Sequence, residues 1–138
     1  MLTKIITGVI IVFSLLGFKP QRTTEITPPI TLEQQLVTIF GNKTKVAIAV
    51  FKHESNLNPT SINYNCRYNG KSTFCKKKDI KKAWSVDCGI AQINVKGKVC
   101  PPELLTLEGI LPSIKQKYKE QGLSAWCSFK NKGYKKYL

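Results

Sequence analysis

Residues 46–55 constrain the fold most, because they form an apolar run that ends beside a carboxylate. An α-helix turns by about 100° per residue, so Lys45 and Lys52, seven positions apart, mark one polar stripe. Glu54 falls on the opposite, apolar side of this predicted central helix. A carboxylate on a packed face is costly unless it is paired, protonated or lining a cleft. Glu54 is therefore either a catalytic candidate or a helix-end residue that reaches water or forms an ion pair.

The first 22 residues are typical of an export signal. Lys4 precedes the apolar run at residues 5–18, which is short for a membrane span and typical of a signal peptide. The cleavage site is a poor match, so residues 1–22 fit a signal peptide or an uncleaved N-terminal membrane anchor. We expect an exported protein of the cell envelope or the extracellular space, with membrane contact only through this segment. Residues 23–30 contain two prolines and no periodicity, which predicts a linker.

The net charge of +14 indicates polyanionic surroundings. Lysine outnumbers arginine and no nucleic-acid motif is present, so we predict attraction to anionic wall polymers and no nucleic-acid partner. The alternative is a lysine-rich composition without a partner. The basic run at residues 76–82 is either a solvated face or a docking patch for such a polymer. With 138 residues, we expect one small domain and a monomer.

The chain has five cysteines, and export would permit disulfides. Cys66 and Cys75 are predicted to close a short local loop. Because five is an odd number, at least one cysteine is either a free thiol or bonded to another chain. The remaining connectivity stays open. No cysteine pair has metal-ligand spacing and His53 is the only histidine, so we predict no metal and no cofactor.

The pattern along the chain predicts two helices around the central one, and a small β element. Thr31 begins the first helix in a capping-box pattern, and residues 104–121 form the last, where Pro112 requires a helix start or a kink. Residues 84–87 are interpreted as a short strand and residues 56–69 as a loop. The fold class is therefore α+β, mainly helical, with a small β element.

Three blocks of sequence, in this order, resemble the lysozyme-like superfamily. They are His-Glu-Ser-Asn-Leu-Asn-Pro at 53–59, Ser-Val-Asp-Cys-Gly-Ile-Ala-Gln-Ile-Asn at 85–94 and Ser-Ala-Trp at 124–126. The chain looks closest to transglycosylase SLT domains and more loosely like c-type lysozymes. The resemblance covers residues 31–138 and implies a lysozyme-like single domain.

The resemblance implies that Glu54 is the general acid/base at the β-1,4 bond between N-acetylmuramic acid and N-acetylglucosamine in peptidoglycan. Trp126 matches the tryptophan that forms an apolar wall beside this glutamate. Asp87 matches the second carboxylate of c-type lysozymes; a strand-end Asp that binds a backbone amide is the alternative. Gln92 and Asn94 match residues that line the glycan groove.

Two further residues complete the predicted site, and three functions remain open. Ser55 follows the glutamate in the motif. Asn65 is a groove candidate, with an ordinary structural role as the favoured alternative. The resemblance favours a lytic transglycosylase. The alternatives are a hydrolysing lysozyme that uses Glu54 and Asp87, and a non-catalytic cationic cell-wall-binding protein on the same fold. The sequence departs from SLT domains at Phe129, where a tyrosine is common, and Tyr118 or Tyr134 could substitute for it.

Overall fold

The structure, a computed structural model, describes residues 30–138. The predictions for residues 1–22 and for the linker, apart from Ile30, lie outside this range. The described residues form a mainly helical domain with one small antiparallel sheet, which confirms the predicted α+β class. In this range no helix has the length and apolar character needed to cross a membrane.

Four α-helices are present between residues 30 and 138. They are α1 (Leu32–Phe40), α2 (Thr44–Ser55), α3 (Leu107–Gln121) and the short α4 (Cys127–Lys130). Short 3-10 helices occupy Gly41–Lys43, Lys77–Lys82, Pro102–Leu105, Gly122–Ala125 and Gly133–Tyr137.

Side-chain caps set the beginnings of α1 and α3. The Thr31 hydroxyl accepts the Gln34 backbone N–H at 3.2 Å, and the Gln34 side chain accepts the Thr31 N–H at 2.8 Å. This confirms the predicted capping box. In α3 the Thr106 hydroxyl accepts the Gly109 N–H at 3.1 Å, so Pro112 lies inside the helix and does not begin it.

The core forms where α1, α2, α3 and the C-terminal segment meet the inner face of the sheet. Aromatic rings dominate its centre: the ring of Phe51 lies 5.9 Å from that of Phe40 and 5.3 Å from that of Trp126. Both contacts are edge-to-face, the arrangement that aromatic quadrupoles favour. The apolar side of α2, read from the sequence, is therefore its packed side.

The sheet has four antiparallel strands in the order β2-β1-β3-β4. They are β1 (Ile62–Tyr68), β2 (Lys71–Phe74), β3 (Ser85–Cys88) and β4 (Ile93–Lys96). Strand β3 confirms the predicted strand within one residue. The interpretation of residues 56–69 as a loop is wrong for β1. In Ile62–Tyr68 apolar and polar residues alternate, which is the strand period, and asparagine content outweighed that signal in the prediction.

Two disulfides brace the sheet. Cys66 and Cys75 are bonded, which confirms the predicted loop, and Cys88 is bonded to Cys100. Cross-links over loops of this size each contribute about 3 kcal/mol, chiefly by constraining the unfolded chain. Cys127 is the remaining cysteine, unpaired and exposed.

The basic run contains one buried anchor. Its lysines are exposed, as a solvated face requires, but Asp79 is buried in the 3-10 helix Lys77–Lys82. The Asp79 carboxylate pairs with the Lys82 ammonium at 2.9 Å and accepts the Tyr68 hydroxyl at 2.8 Å. Both contacts lower the pKa of Asp79, and the contact with Lys82 has the larger effect. The run is thus attached to β1 at a defined position.

Candidate active site

Five of the seven predicted site residues surround one cavity of about 190 Å³. They come from all three sequence blocks: Glu54, Asp87, Gln92, Asn94 and Trp126. Ser55 and Asn65 do not line the cavity. Ser55 bonds the turn that carries Gln92, and Asn65 bonds the carboxylate of Asp87.

Glu54 is positioned by the end of α2. The helix stops at Asn56, whose left-handed backbone (φ 56°) suits an asparagine and whose N–H bonds the Lys52 carbonyl. Glu54 is half-buried in the last turn, and its Oε1 accepts the backbone N–H of Ser128 at 3.1 Å. The carboxyl therefore lies between α2 and α4, with one oxygen held by the backbone.

A turn at residues 89–92, between β3 and β4, holds the walls of the cavity together. The Ser55 hydroxyl donates to the Ile90 carbonyl at 2.7 Å, which ties the end of α2 to this turn. The indole N–H of Trp126 donates to the Ala91 carbonyl at 2.8 Å, which ties the C-terminal segment to the same turn. Ser55 thus acts on the site through the backbone.

Trp126 forms the apolar wall of the cavity. It is only 2% exposed, and it packs on Phe51, which lies one turn before Glu54 on α2. Trp126 is therefore part of the aromatic core and also lines the cavity beside Glu54.

Asp87 lies on the outer, polar face of the sheet, held by two side-chain amides. Its Oδ1 accepts the Asn94 amide at 2.7 Å and its Oδ2 accepts the Asn65 amide at 2.9 Å. Asn94 is directly opposite Asp87 in the register, and both amides also reach the Ser85 hydroxyl. Asn65 is buried beneath this group, so its contact is with the carboxylate and not with the cavity. These two hydrogen bonds fix the orientation of the Asp87 carboxylate.

Gln92 has its own set of bonds within the turn. Its side-chain N–H donates to the Gly89 carbonyl at 2.8 Å, and its oxygen accepts the Asn63 amide at 2.7 Å. Asn63, the partner of Asp87 on β1, was missed by the sequence analysis because its strand was interpreted as a loop. The register of β1 against β3 would have identified it.

Lys117 is the second residue that the sequence analysis missed. It comes from α3, lines the cavity with Glu54 and Asp87, and its Nζ lies 5.4 Å from the centroid of the Trp126 ring. Burial lowers the pKa of Lys117, and the negative charges of Asp87 and Glu54 oppose that shift. In sequence it is one of several lysines on an exposed helix, and only the tertiary structure distinguishes it.

The remaining lining residues are Ala125 and Cys127. The two tyrosines considered as substitutes for Phe129 lie elsewhere. Tyr118 packs on Phe40 with ring centroids 4.5 Å apart, and Tyr134 stacks on Phe129 beside a separate cavity. Neither lines the cavity of Glu54.

No protein-family model, curated protein sequence or solved structure matches this chain. Between residues 30 and 138, no three His, Cys, Asp or Glu side chains group as a metal site would require.

Proposed function

We propose that this chain is an exported glycosidase that cleaves the β-1,4 bond between N-acetylmuramic acid and N-acetylglucosamine in peptidoglycan. The observation that carries the proposal is the cavity shared by Glu54, Asp87, Gln92, Asn94 and Trp126. These residues were selected from three separate sequence blocks by their resemblance to lysozyme-like enzymes, and they line one space. The net charge of +14 suits an anionic cell wall.

Glu54 is the general acid/base of the proposed reaction. Its proton passes to the glycosidic oxygen as the C1–O bond breaks, and the saccharide develops oxocarbenium character. In a lytic transglycosylase the C6 hydroxyl of the muramic residue then attacks C1, and the Glu54 carboxylate takes the hydroxyl proton. The product is a 1,6-anhydromuramic end. Trp126 is buried and forms the apolar wall of the cavity that Glu54 lines, where this proton transfer would take place.

A hydrolysing lysozyme is the second candidate, favoured by the position of Asp87. Its carboxylate lines the same cavity as Glu54, and two side-chain amides fix its orientation. An ionised carboxylate at this place can stabilise the oxocarbenium charge or form a glycosyl intermediate that water then cleaves. The sequence motifs favour the internal hydroxyl as nucleophile, and the presence of Asp87 in the same cavity as Glu54 keeps water as the alternative.

Mass spectrometry of peptidoglycan digested with the purified full-length chain tests both candidates. Anhydromuropeptides that are absent from a Glu54→Gln digest would establish a lytic transglycosylase. Reducing muramic ends that depend on Glu54 would establish a hydrolase and favour Asp87 as the second carboxylate. If neither product forms while the protein still binds peptidoglycan, the glycosidase proposal is wrong and the cationic wall-binding alternative replaces it.

Alkylation of Cys127 should inhibit the proposed enzyme strongly. Cys127 is exposed, unpaired and lines the cavity, while the other four cysteines are in disulfides. A bulky maleimide on its sulfur would fill a space of about 190 Å³, so we expect cleavage activity to fall more than about tenfold. The measurement is glycan cleavage before and after labelling. A Cys127→Ser protein treated in the same way is the control and should keep its activity. Full activity after complete labelling would contradict substrate entry through this cavity.

A further inference from the structure

A second cavity, of about 370 Å³, adjoins the first. Asn94 and Lys117 line both, so the two spaces meet at these side chains. The rest of the second cavity comes mainly from α3, with Ser113, Gln116, Glu120 and Gln121 on its wall. The proposed mechanism uses none of these four residues.

The lining of the second cavity is polar and carries both signs of charge. Lys117 supplies an ammonium and Glu120 a carboxylate, which accepts the Gln116 amide at 3.0 Å. Ile93 is the one apolar side chain among its lining residues within the described chain, and no aromatic ring is among them. Sugar subsites commonly present an aromatic face for stacking, whereas backbone amides and charged ends are recognised by side chains such as these.

The substrate of the proposed reaction has a group of the matching chemistry beside the bond that is cut. Muramic acid carries a short peptide on its lactyl ether, and this peptide contains carboxylates and, in its diamino residue, an amine. The peptide is attached to the sugar whose C1–O bond is cut, so a space that adjoins the acid/base cavity is within its reach. Lys117 is suited to receive a carboxylate and Glu120 an amine.

We propose that the cavity between β4 and α3 binds the stem peptide of peptidoglycan, with Lys117 and Glu120 as its charged contacts. The inference rests on the proposed function for the identity of the glycan. It adds a specificity: the enzyme prefers muramic residues that carry a peptide over bare glycan strands.

Kinetics on two matched substrates test this specificity. The full-length chain is given peptidoglycan strands with their stem peptides, and the same strands after an amidase has removed the peptides. We expect kcat/KM to be about tenfold higher on the first substrate. Lys117→Gln and Glu120→Gln should each reduce this ratio by about fivefold. Lys119→Gln and Glu108→Gln, exposed residues of α3 outside both cavities, are the matched controls and should leave the ratio unchanged.

A binding measurement separates the two proposals. A free tripeptide with one acidic and one diamino residue is titrated into the Glu54→Gln protein by calorimetry, with and without Lys117→Gln. If the tripeptide binds and Lys117→Gln weakens this binding, the peptide site is supported even when the wild type cleaves no glycan. In that case only the proposed function fails. Equal kcat/KM on both strands, or no peptide binding by an active enzyme, would overturn the peptide site and leave the glycosidase in place. No cleavage together with no peptide binding would overturn both.

Discussion

Replacement of Glu54 by glutamine is expected to slow peptidoglycan cleavage by about 10²- to 10⁴-fold, the range typical of a lost general acid. Glutamine has the same shape as glutamate, and its side-chain oxygen can still accept the Ser128 N–H that now bonds Oε1 at 3.1 Å. What it lacks is a transferable proton. The rate should therefore fall while the structure of the cavity persists.

Two controls make this result specific. The melting temperature of Glu54→Gln should stay close to that of the wild type, because no packed atom is removed. Glu108→Gln, an exposed glutamate in the first turn of α3, should keep wild-type activity. A Glu54→Gln protein that cleaves at the wild-type rate would exclude this carboxyl as the acid and favour the non-catalytic binder.

Replacement of Gly89 by alanine is expected to destabilise the fold by about 2–5 kcal/mol. Gly89 begins the turn at residues 89–92 with φ +70°, a conformation that side chains with a Cβ rarely adopt. An added Cβ would also overlap the Leu104 carbonyl oxygen and lie 2.6 Å from Cδ1 of Ile110. The backbone carbonyl cannot rotate away like a flexible side chain, so the loop before α3 would have to move.

Gly70→Ala provides the matched control, measured by urea unfolding beside Gly89→Ala. Gly70 has φ +76°, close to that of Gly89, but an added Cβ there has no neighbour within 4 Å. It should cost only the backbone strain, about 1 kcal/mol. Equal losses for the two variants would show that contact with the Leu104 carbonyl contributes nothing. Because the turn positions the Gln92 and Trp126 walls, activity of Gly89→Ala should fall together with its stability.

The sequence predicted those parts of the molecule that depend on local pattern. The capping box of α1, the apolar side of α2 and the loop between Cys66 and Cys75 each involve residues close in the chain. The motif blocks also selected residues that line one cavity. Their selection rests on resemblance and not on periodicity, because nothing in the spacing of Glu54 and Trp126 indicates that they line one cavity.

The parts that could not be predicted depend on tertiary contacts. Lys117 is indistinguishable from neighbouring lysines until α3 packs against the sheet, and Asn65 lies beneath Asp87 only because β1 pairs with β3. The pairing of Cys88 with Cys100 was one of several possible connectivities. Strand β1 was available from its alternation and was missed because asparagines are common in turns.

The disulfide between Cys88 and Cys100 makes the stability of the cavity depend on the redox state of the surroundings. Cys88 immediately precedes the turn at residues 89–92, and Cys100 lies just before the segment that leads into α3. The bond therefore joins the sheet side of the cavity to its helical side. A newly made chain in a reducing cytosol lacks this cross-link and its contribution of about 3 kcal/mol. Before oxidation, the two sides of the cavity would therefore be held together less firmly, which under the proposed function would limit wall cutting at the place of synthesis.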